Sequence, residues 1–159
     1  MAEFRGGLGT LRQKVKVGKV HSLWHEFGIG QAAGVGLPYE VAGYMPERNQ
    51  WSGGTFANLP IGQGMSWTTL QMASVYQALA NGGERIEPRI IDSVKGPDGK
   101  DEKLEEPEKY QVVSPETAKT TVDMFRAVFQ DDDAGLQNGT AGNAQLKGYQ
   151  LSGKTGTAQ

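Results

Sequence analysis

The 159 residues carry 16 Lys and Arg against 18 Asp and Glu, a formal net charge of −2. That balance offers no electrostatic footprint for nucleic acid or an anionic membrane, so neither is expected as a partner. Cysteine is absent, which excludes disulfides, thiolate catalysis and cysteine-type zinc sites. The length suits one domain, and 23 glycines with 37% hydrophobic content make it rich in loops. No apolar run reaches the roughly 18 residues of a membrane span, and no signal peptide opens the chain, so this chain is expected to hold neither anchor nor signal.

In chain order, residues 1–7 are expected to be a non-native or disordered start, and the basic stretch from Arg5 to Lys19 a solvated face. VGKVHSLWHEFGIG then reads as a helix. Val20, Leu23, Trp24 and Phe27 recur at helical spacing, and Gly28 is a left-handed stop. His21 and His25 lie four apart beside Glu26, but no third ligand follows at sensible spacing and HExxH is missing. They read as surface or core-edge histidines; no metal and no cofactor is expected. A long Gly- and Pro-punctuated loop comes next, of the kind that is functional or packed against something larger. Trp51, Phe56 and the turn Gly62-Gln63-Gly64 could resemble a carbohydrate or ligand patch, but are read as structural.

Thr68 followed by Gln71 is a capping box, so a helix should start at Thr69 and end at Asn81-Gly82-Gly83. Its apolar residues cover most of its circumference, which predicts burial on more than one side. RIEPRIIDSVKGPDGK reads as one or two short strands ending in the Pro97-Asp98-Gly99 turn, and Asp101 to Lys109 as a solvated loop. Ser114-Pro115 opens another helix, with Ala118, Thr121, Val122, Phe125, Val128 and Phe129 as its inward stripe. Asp131 to Asp133 fall past its end, because acid at a helix C-terminus opposes the dipole; calcium-loop spacing is absent there. Gly148 to Gln159 shows β-compatible residues at alternate positions and reads as a strand.

Two motifs overlap in that last stretch. GYQLSGKT, Gly148 to Thr155, fits the phosphate-loop pattern G-x-x-x-x-G-K-[ST]. A phosphate loop needs a buried strand before it and a helix after it. Gly-, Asn- and Gln-rich residues precede Gly148 and only four residues follow Thr155, so the nucleotide reading is weak. Lys154-Thr155-Gly156 is also a signature of penicillin-interacting serine enzymes. On a strand, Lys154 and Gly156 share one face and Thr155 and Thr157 the other.

The surrounding blocks decide between the two. FGIGQAAGVGLPYEVAGYMP, QWSGGTFANLPIGQGMSWTTLQMASVYQALANGG, RIEPRII and QLSGKTGTAQ, in that order and spacing from about Leu8 to Gln159, resemble class B penicillin-binding proteins of the septal, cell-division branch. The resemblance implies an α+β fold, part of the serine β-lactamase-like transpeptidase fold, with an antiparallel sheet flanked by helices. It implies a D,D-transpeptidase that cross-links peptidoglycan through an acyl-serine, with D-Ala-D-Ala stem peptides and β-lactams as ligands and division-complex proteins as partners. Members are anchored in the cytoplasmic membrane with this domain on the outer face. Carried over by motif, Lys154 and Thr157 are catalytic: Lys154 lends charge, and Thr157 supplies an oxyanion-hole N–H. Thr155, Gly156 and Thr157 bind substrate, Thr155 through its hydroxyl and Gly156 by leaving room.

The family's other two motifs do not appear. No serine in the chain (Ser22, Ser52, Ser66, Ser74, Ser93, Ser114, Ser152) is followed three residues on by lysine. The family's S-x-N would fall on Arg5-Gly6-Gly7. Residues 1–159 are therefore expected to be a single partial transpeptidase domain. It lacks the S-x-x-K and S-x-N segments and the strands after KTG, and is inactive by itself. The alternative is a non-catalytic binding or scaffold module with the same fold.

Overall fold

Helix α1 (Val17–Glu26) of the computed structural model, which describes residues 16–59, 62–102, 104–130 and 139–156, is stopped by backbone geometry. Gly28 takes a φ of 85°, its N–H reaching the His25 carbonyl at 2.9 Å, while the Ile29 N–H reaches Trp24 at 3.0 Å. This is the paired bond pattern of a glycine-stopped helix, as the sequence predicts for Gly28. The turn drops Phe27 and Ile29, 7% and 1% exposed, into the core.

The long connection that follows has little regular structure. It contains a 3-10 turn at Arg48–Gln50, the short helix α2 (Gly53–Asn58) and one antiparallel bridge between Tyr44 and Ser66. Ser52 caps α2 by accepting from the Thr55 N–H at 3.2 Å. Trp51 packs on α1, its ring 5.6 Å from His21 and 5.7 Å from Trp24, and its indole N–H donates to the Pro46 carbonyl at 2.9 Å. That supports the structural reading of Trp51; the side chain of Phe56 lies outside the described residues.

Helix α3 (Thr69–Ala80) begins and ends where the sequence predicts. Thr68 Oγ1 accepts from the Gln71 N–H at 3.1 Å, and the Thr68 N–H donates to Gln71 Oε1 at 2.7 Å. Its burial differs from the expectation. Gln71, Ser74, Ala78 and Leu79 are buried, but Met72 is 48% and Tyr76 37% exposed. A helix is buried only where another element lies against it. Among the described residues, α3 packs chiefly on β1 (Glu84–Ile86) and on α4 (Pro115–Arg126), and Tyr76 meets the Phe125 ring of α4 only at a tilt, with centroids 6.2 Å apart.

Helix α4 is opened as read: Ser114 Oγ accepts from the Thr117 N–H at 3.2 Å, Pro115 occupies the first turn and Glu116 follows it. Replacing the cap oxygen leaves an N–H without a partner. Ser114→Ala is expected to cost about 1 kcal/mol, read as a lower urea midpoint with an unchanged slope. The expected inward stripe is divided: α4 stops at Arg126 and a 3-10 turn carries Ala127–Phe129. Asp131 to Asp133 lie outside the described residues.

Among the described residues, four short strands form two antiparallel pairs: β1 with β4 (Lys109–Gln111), and β2 (Val94–Lys95) with β3 (Asp101–Glu102). The solvated-loop reading of Asp101 to Lys109 is therefore corrected at both ends. The charge pattern reported solvent exposure faithfully, but ladder bonds use backbone groups, which charged residues supply equally well. The tight turn between β2 and β3 sets their register: Asp98 accepts from the Lys100 N–H at 3.1 Å. Gly83, at φ 87°, leads into β1, where a Cβ would collide with the Val113 carbonyl. Its own carbonyl accepts from Val112 N–H at 2.9 Å, drawing the start of α4 onto α3.

The core is Phe27, Ile29, Ala78, Leu79 and Ala118, wrapped by half-buried side chains including Leu23, Trp24, Trp67, Val113, Val122 and Phe125. Helices with small antiparallel ladders make an α+β fold, as expected. Among the described residues, the sheet is present as two-stranded pieces.

On the β1–β4 pair, where β4 is the exposed strand, the Tyr110 hydroxyl donates to Glu108 and, at 3.3 Å, to Glu87, while Arg85 lies 5.7 Å from its ring centre. The Glu108 hydrogen bond, then desolvation, then the carboxylate charges push the phenol up to about 12. A folded-state value above the unfolded one favours the folded state below the unfolded value of about 10. That contribution is lost as pH rises towards 12. Ultraviolet titration is expected to show one late-ionising tyrosine, and Glu108→Gln to return it towards the others.

Candidate functional site

The site begins with how the chain is led to Lys154. The Gly153 N–H donates to the Phe125 carbonyl at 3.2 Å, at the end of α4. A Cβ on Gly153 would lie 3.3 Å from the Phe129 ring, so the missing side chain lets the segment lie against that ring. Upstream, Gln145 Nε2 holds the Phe129 carbonyl at 2.5 Å, and a 3-10 turn at Gly142–Ala144 links the two. The end of α4 is thus the anchor for the Lys154 segment.

Lys154 is exposed, and among the described residues it makes no ion pair. Its Nζ donates to the Thr155 carbonyl at 2.8 Å and approaches Thr155 Oγ1 at 3.4 Å. Thr155 is half-buried, and its hydroxyl lies 3.3 Å from that of Thr140. Among the described residues, nothing lies within 4 Å of where a Cβ on Gly156 would stand. The result is an ammonium, two hydroxyls and open space beside the backbone. Those are donors suited to a carboxylate and room for a chain to lie alongside.

The strand expected over Gly148 to Gln159 is not formed at residues 147–156, which have no ladder partner. A strand is defined by its neighbour, and none of the described strands lies beside this segment. The alternation survives without the ladder: Lys154 and Gly156 are exposed, and Thr155 between them is half-buried. No helix begins at Lys154 to Gly156, so the phosphate-loop geometry is absent there. Thr157 lies outside the described residues, as do Arg5, Gly6 and Gly7.

Thr140 is the partner that sequence reasoning missed. It sits 15 residues before Thr155 in a polar, glycine-rich stretch with no periodicity to mark it. Two of the serines are committed to helix caps, Ser52 and Ser114, and no serine hydroxyl is bonded to a lysine among the described residues. No group of three or more His, Asp or Glu there could hold a metal; His25 instead meets Gln31 Nε2 at 3.0 Å. No described helix is long and apolar enough to cross a membrane.

A helical frame that presents Lys-Thr-Gly on an exposed segment points to the penicillin-interacting serine enzymes. The model of the penicillin binding protein transpeptidase domain matches residues 8–159, and the chain belongs to that family. The penicillin-binding protein PbpB of Mycolicibacterium smegmatis is 51% identical over 154 residues, 96% of this chain and 24% of that protein. The peptidoglycan D,D-transpeptidase FtsI of Escherichia coli K12 is 31% identical over 137 residues, 86% of this chain and 20% of that protein. The crystal structure of penicillin-binding protein 3 from Mycobacterium tuberculosis, complexed with ampicillin, superposes with a TM-score of 0.87 at 51% identity. It covers 94% of this chain and 33% of that one. The resemblance read from the sequence blocks is borne out. The chain spans about a quarter of the length of the mycobacterial relative.

Proposed function

We propose that this chain is the Lys-Thr-Gly-bearing part of a septal-type peptidoglycan D,D-transpeptidase, and that it forms the wall of the site that holds the substrate carboxylate. In the reaction, a serine hydroxyl adds to the carbonyl of the penultimate D-alanine. The terminal D-alanine leaves with the proton the serine gives up, and an amine of a neighbouring stem peptide then takes the acyl group. Lys154 lends positive charge to the reacting centre, and the Thr155 hydroxyl holds the terminal carboxylate, or that of a β-lactam. Gly156 keeps the approach open, and the Thr157 N–H faces the oxyanion. The serine comes from the S-x-x-K segment, which none of the serines here supplies. The parent protein is membrane-anchored, acts on the outer face and works beside other division proteins.

The observation behind this reading is the Lys154 ammonium, which makes no ion pair among the described residues, beside the Thr155–Thr140 hydroxyl pair and a Gly156 that none of them crowds, in a chain of this family. The test is a chimera in which the matching residues of mycobacterial PbpB are replaced by this chain. A fluorescent penicillin and intact mass are expected to show one covalent adduct per chimera and none on this chain alone. A folded chimera that takes no adduct would favour a non-catalytic binding module. An adduct on the chain alone would refute the assignment of the nucleophile elsewhere.

A further inference from the structure

Thr140 lies outside the Lys-Thr-Gly motif, yet its position is fixed from both sides by backbone bonds. The Gly139 N–H donates to the Gln130 carbonyl at 2.9 Å, and the Ala141 N–H donates to the Val128 carbonyl at 2.9 Å. The approach is so close that a Cβ on Gly139 would stand within 2.7 Å of the carbonyl oxygens of Ala127, Val128 and Gln130. Only glycine fits there, and it lets residue 140 lie against the 3-10 turn that ends α4. Thr155 is tied to the same end of α4, through the Gly153 N–H on the Phe125 carbonyl at 3.2 Å. Two segments 15 residues apart thus share one support, which brings their hydroxyls to 3.3 Å.

The count of protons then limits what each hydroxyl can do. A threonine hydroxyl has one proton to give and two lone pairs. An ammonium can only donate, so Thr155 Oγ1 is the acceptor for Lys154 Nζ at 3.4 Å. Between the two threonines either oxygen could be the donor. If Thr155 donates, its single proton is committed to Thr140 and none is left for a ligand. If Thr140 donates, Thr155 accepts from both neighbours and its own proton is turned away from both. A carboxylate can only accept, so it selects the second arrangement. A hydroxyl that already accepts is also polarised into a stronger donor.

We propose that Thr140 is a positioning residue: its hydroxyl donates to Thr155 and so turns the Thr155 proton towards the ligand carboxylate. The carboxylate comes from the transpeptidase reading, on which this role rests. Thr140 acts through Thr155 and touches no reacting atom.

The test has two arms. In the full 159-residue chain, isotope-labelled for NMR, three-bond couplings give the Thr155 side-chain torsion. A single rotamer is expected in the parent. Thr140→Val keeps the shape of an exposed side chain and removes its hydroxyl, and is expected to leave that torsion averaged. In the PbpB chimera, Thr140→Val is expected to lower the second-order rate of acylation by benzylpenicillin about fivefold, the scale of one hydrogen bond. The loss should lie in the affinity of the initial complex, with the bond-forming step unchanged. In a Thr155→Val background the same change should have no further effect, because Thr140 reaches the ligand through Thr155. An unchanged Thr155 torsion, a loss confined to the bond-forming step, or an equal loss in both backgrounds would each overturn the proposal. The torsion needs no serine and no acylation. A torsion that averages in the variant, with a chimera inert to penicillin, therefore sinks the transpeptidase reading alone, and an unchanged torsion in an active chimera sinks the role of Thr140 alone.

Discussion

Gln71→Leu is expected to lower the stability of this chain by about 3–5 kcal/mol, since three good hydrogen bonds vanish at one buried position and each buried group left unpaired costs about 1–3 kcal/mol. Gln71 is 3% exposed. Its Oε1 accepts from the Thr68 N–H at 2.7 Å, and its Nε2 donates to the carbonyls of Gln31 at 2.7 Å and Ala42 at 2.8 Å. The Gly28 carbonyl, at 3.4 Å from the same nitrogen, is a weaker partner. Leucine fills similar volume, so the loss is of polar partners and not of packing. A domain of this size has about 5–15 kcal/mol in total, so the urea midpoint should fall by a large fraction. Removing only the helix cap, by Thr68→Ala, should cost about 1 kcal/mol. Equal effects from the two variants would mean that Gln71 acts as a capping residue alone.

Gln71→Glu separates the donors from the acceptor. The carboxylate still receives the Thr68 N–H, but an oxygen now faces the carbonyls of Gln31 and Ala42. Only the protonated acid can donate to one of them, so folding raises the carboxyl above the usual carboxylate range. The sign follows: the protonated form favours the folded state below the unfolded value of about 4.3, and that help is lost as pH rises through the folded value. Gln71→Glu should therefore approach Gln71 most closely in acid, after correction for the parent's own pH profile. A gap that is constant with pH would remove this role.

Lys154→Ala, made in the chimera, is expected to slow acylation by penicillin about a hundredfold to a thousandfold, the scale of losing a charged group aimed at the reacting species. The thermal midpoint should not move, because Lys154 is exposed and among the described residues bonds only to its neighbour Thr155. Thr155→Val removes one hydroxyl from the pair with Thr140 and should cost about tenfold in the same rate. Its half-buried position makes a small shift in midpoint acceptable. If Lys154→Ala leaves the acylation rate intact, Lys154 does not lend its charge to the reaction and the proposed site is wrong.

The features legible in the sequence are those made within a few residues. Gly28 stops α1, the Thr68–Gln71 box starts α3 and Ser114-Pro115 starts α4, because each satisfies backbone groups three to five positions away. Motif order and spacing reached the family in the same way, from residues as they stand. The rest depends on partners distant in the chain. The Gln71 amide reads as a cap until the fold brings Gln31 and Ala42 to it from 40 and 29 residues upstream. Charged Asp101–Glu102 and Lys109–Gln111 become strands because β2 and β1 lie beside them, and the Lys154 segment stays unladdered because no described strand does. Thr140 joins Thr155 only through the turn built on the end of α4. Local hydrogen bonds are written in short spacings, whereas burial and pairing belong to surfaces that exist only after the chain has folded.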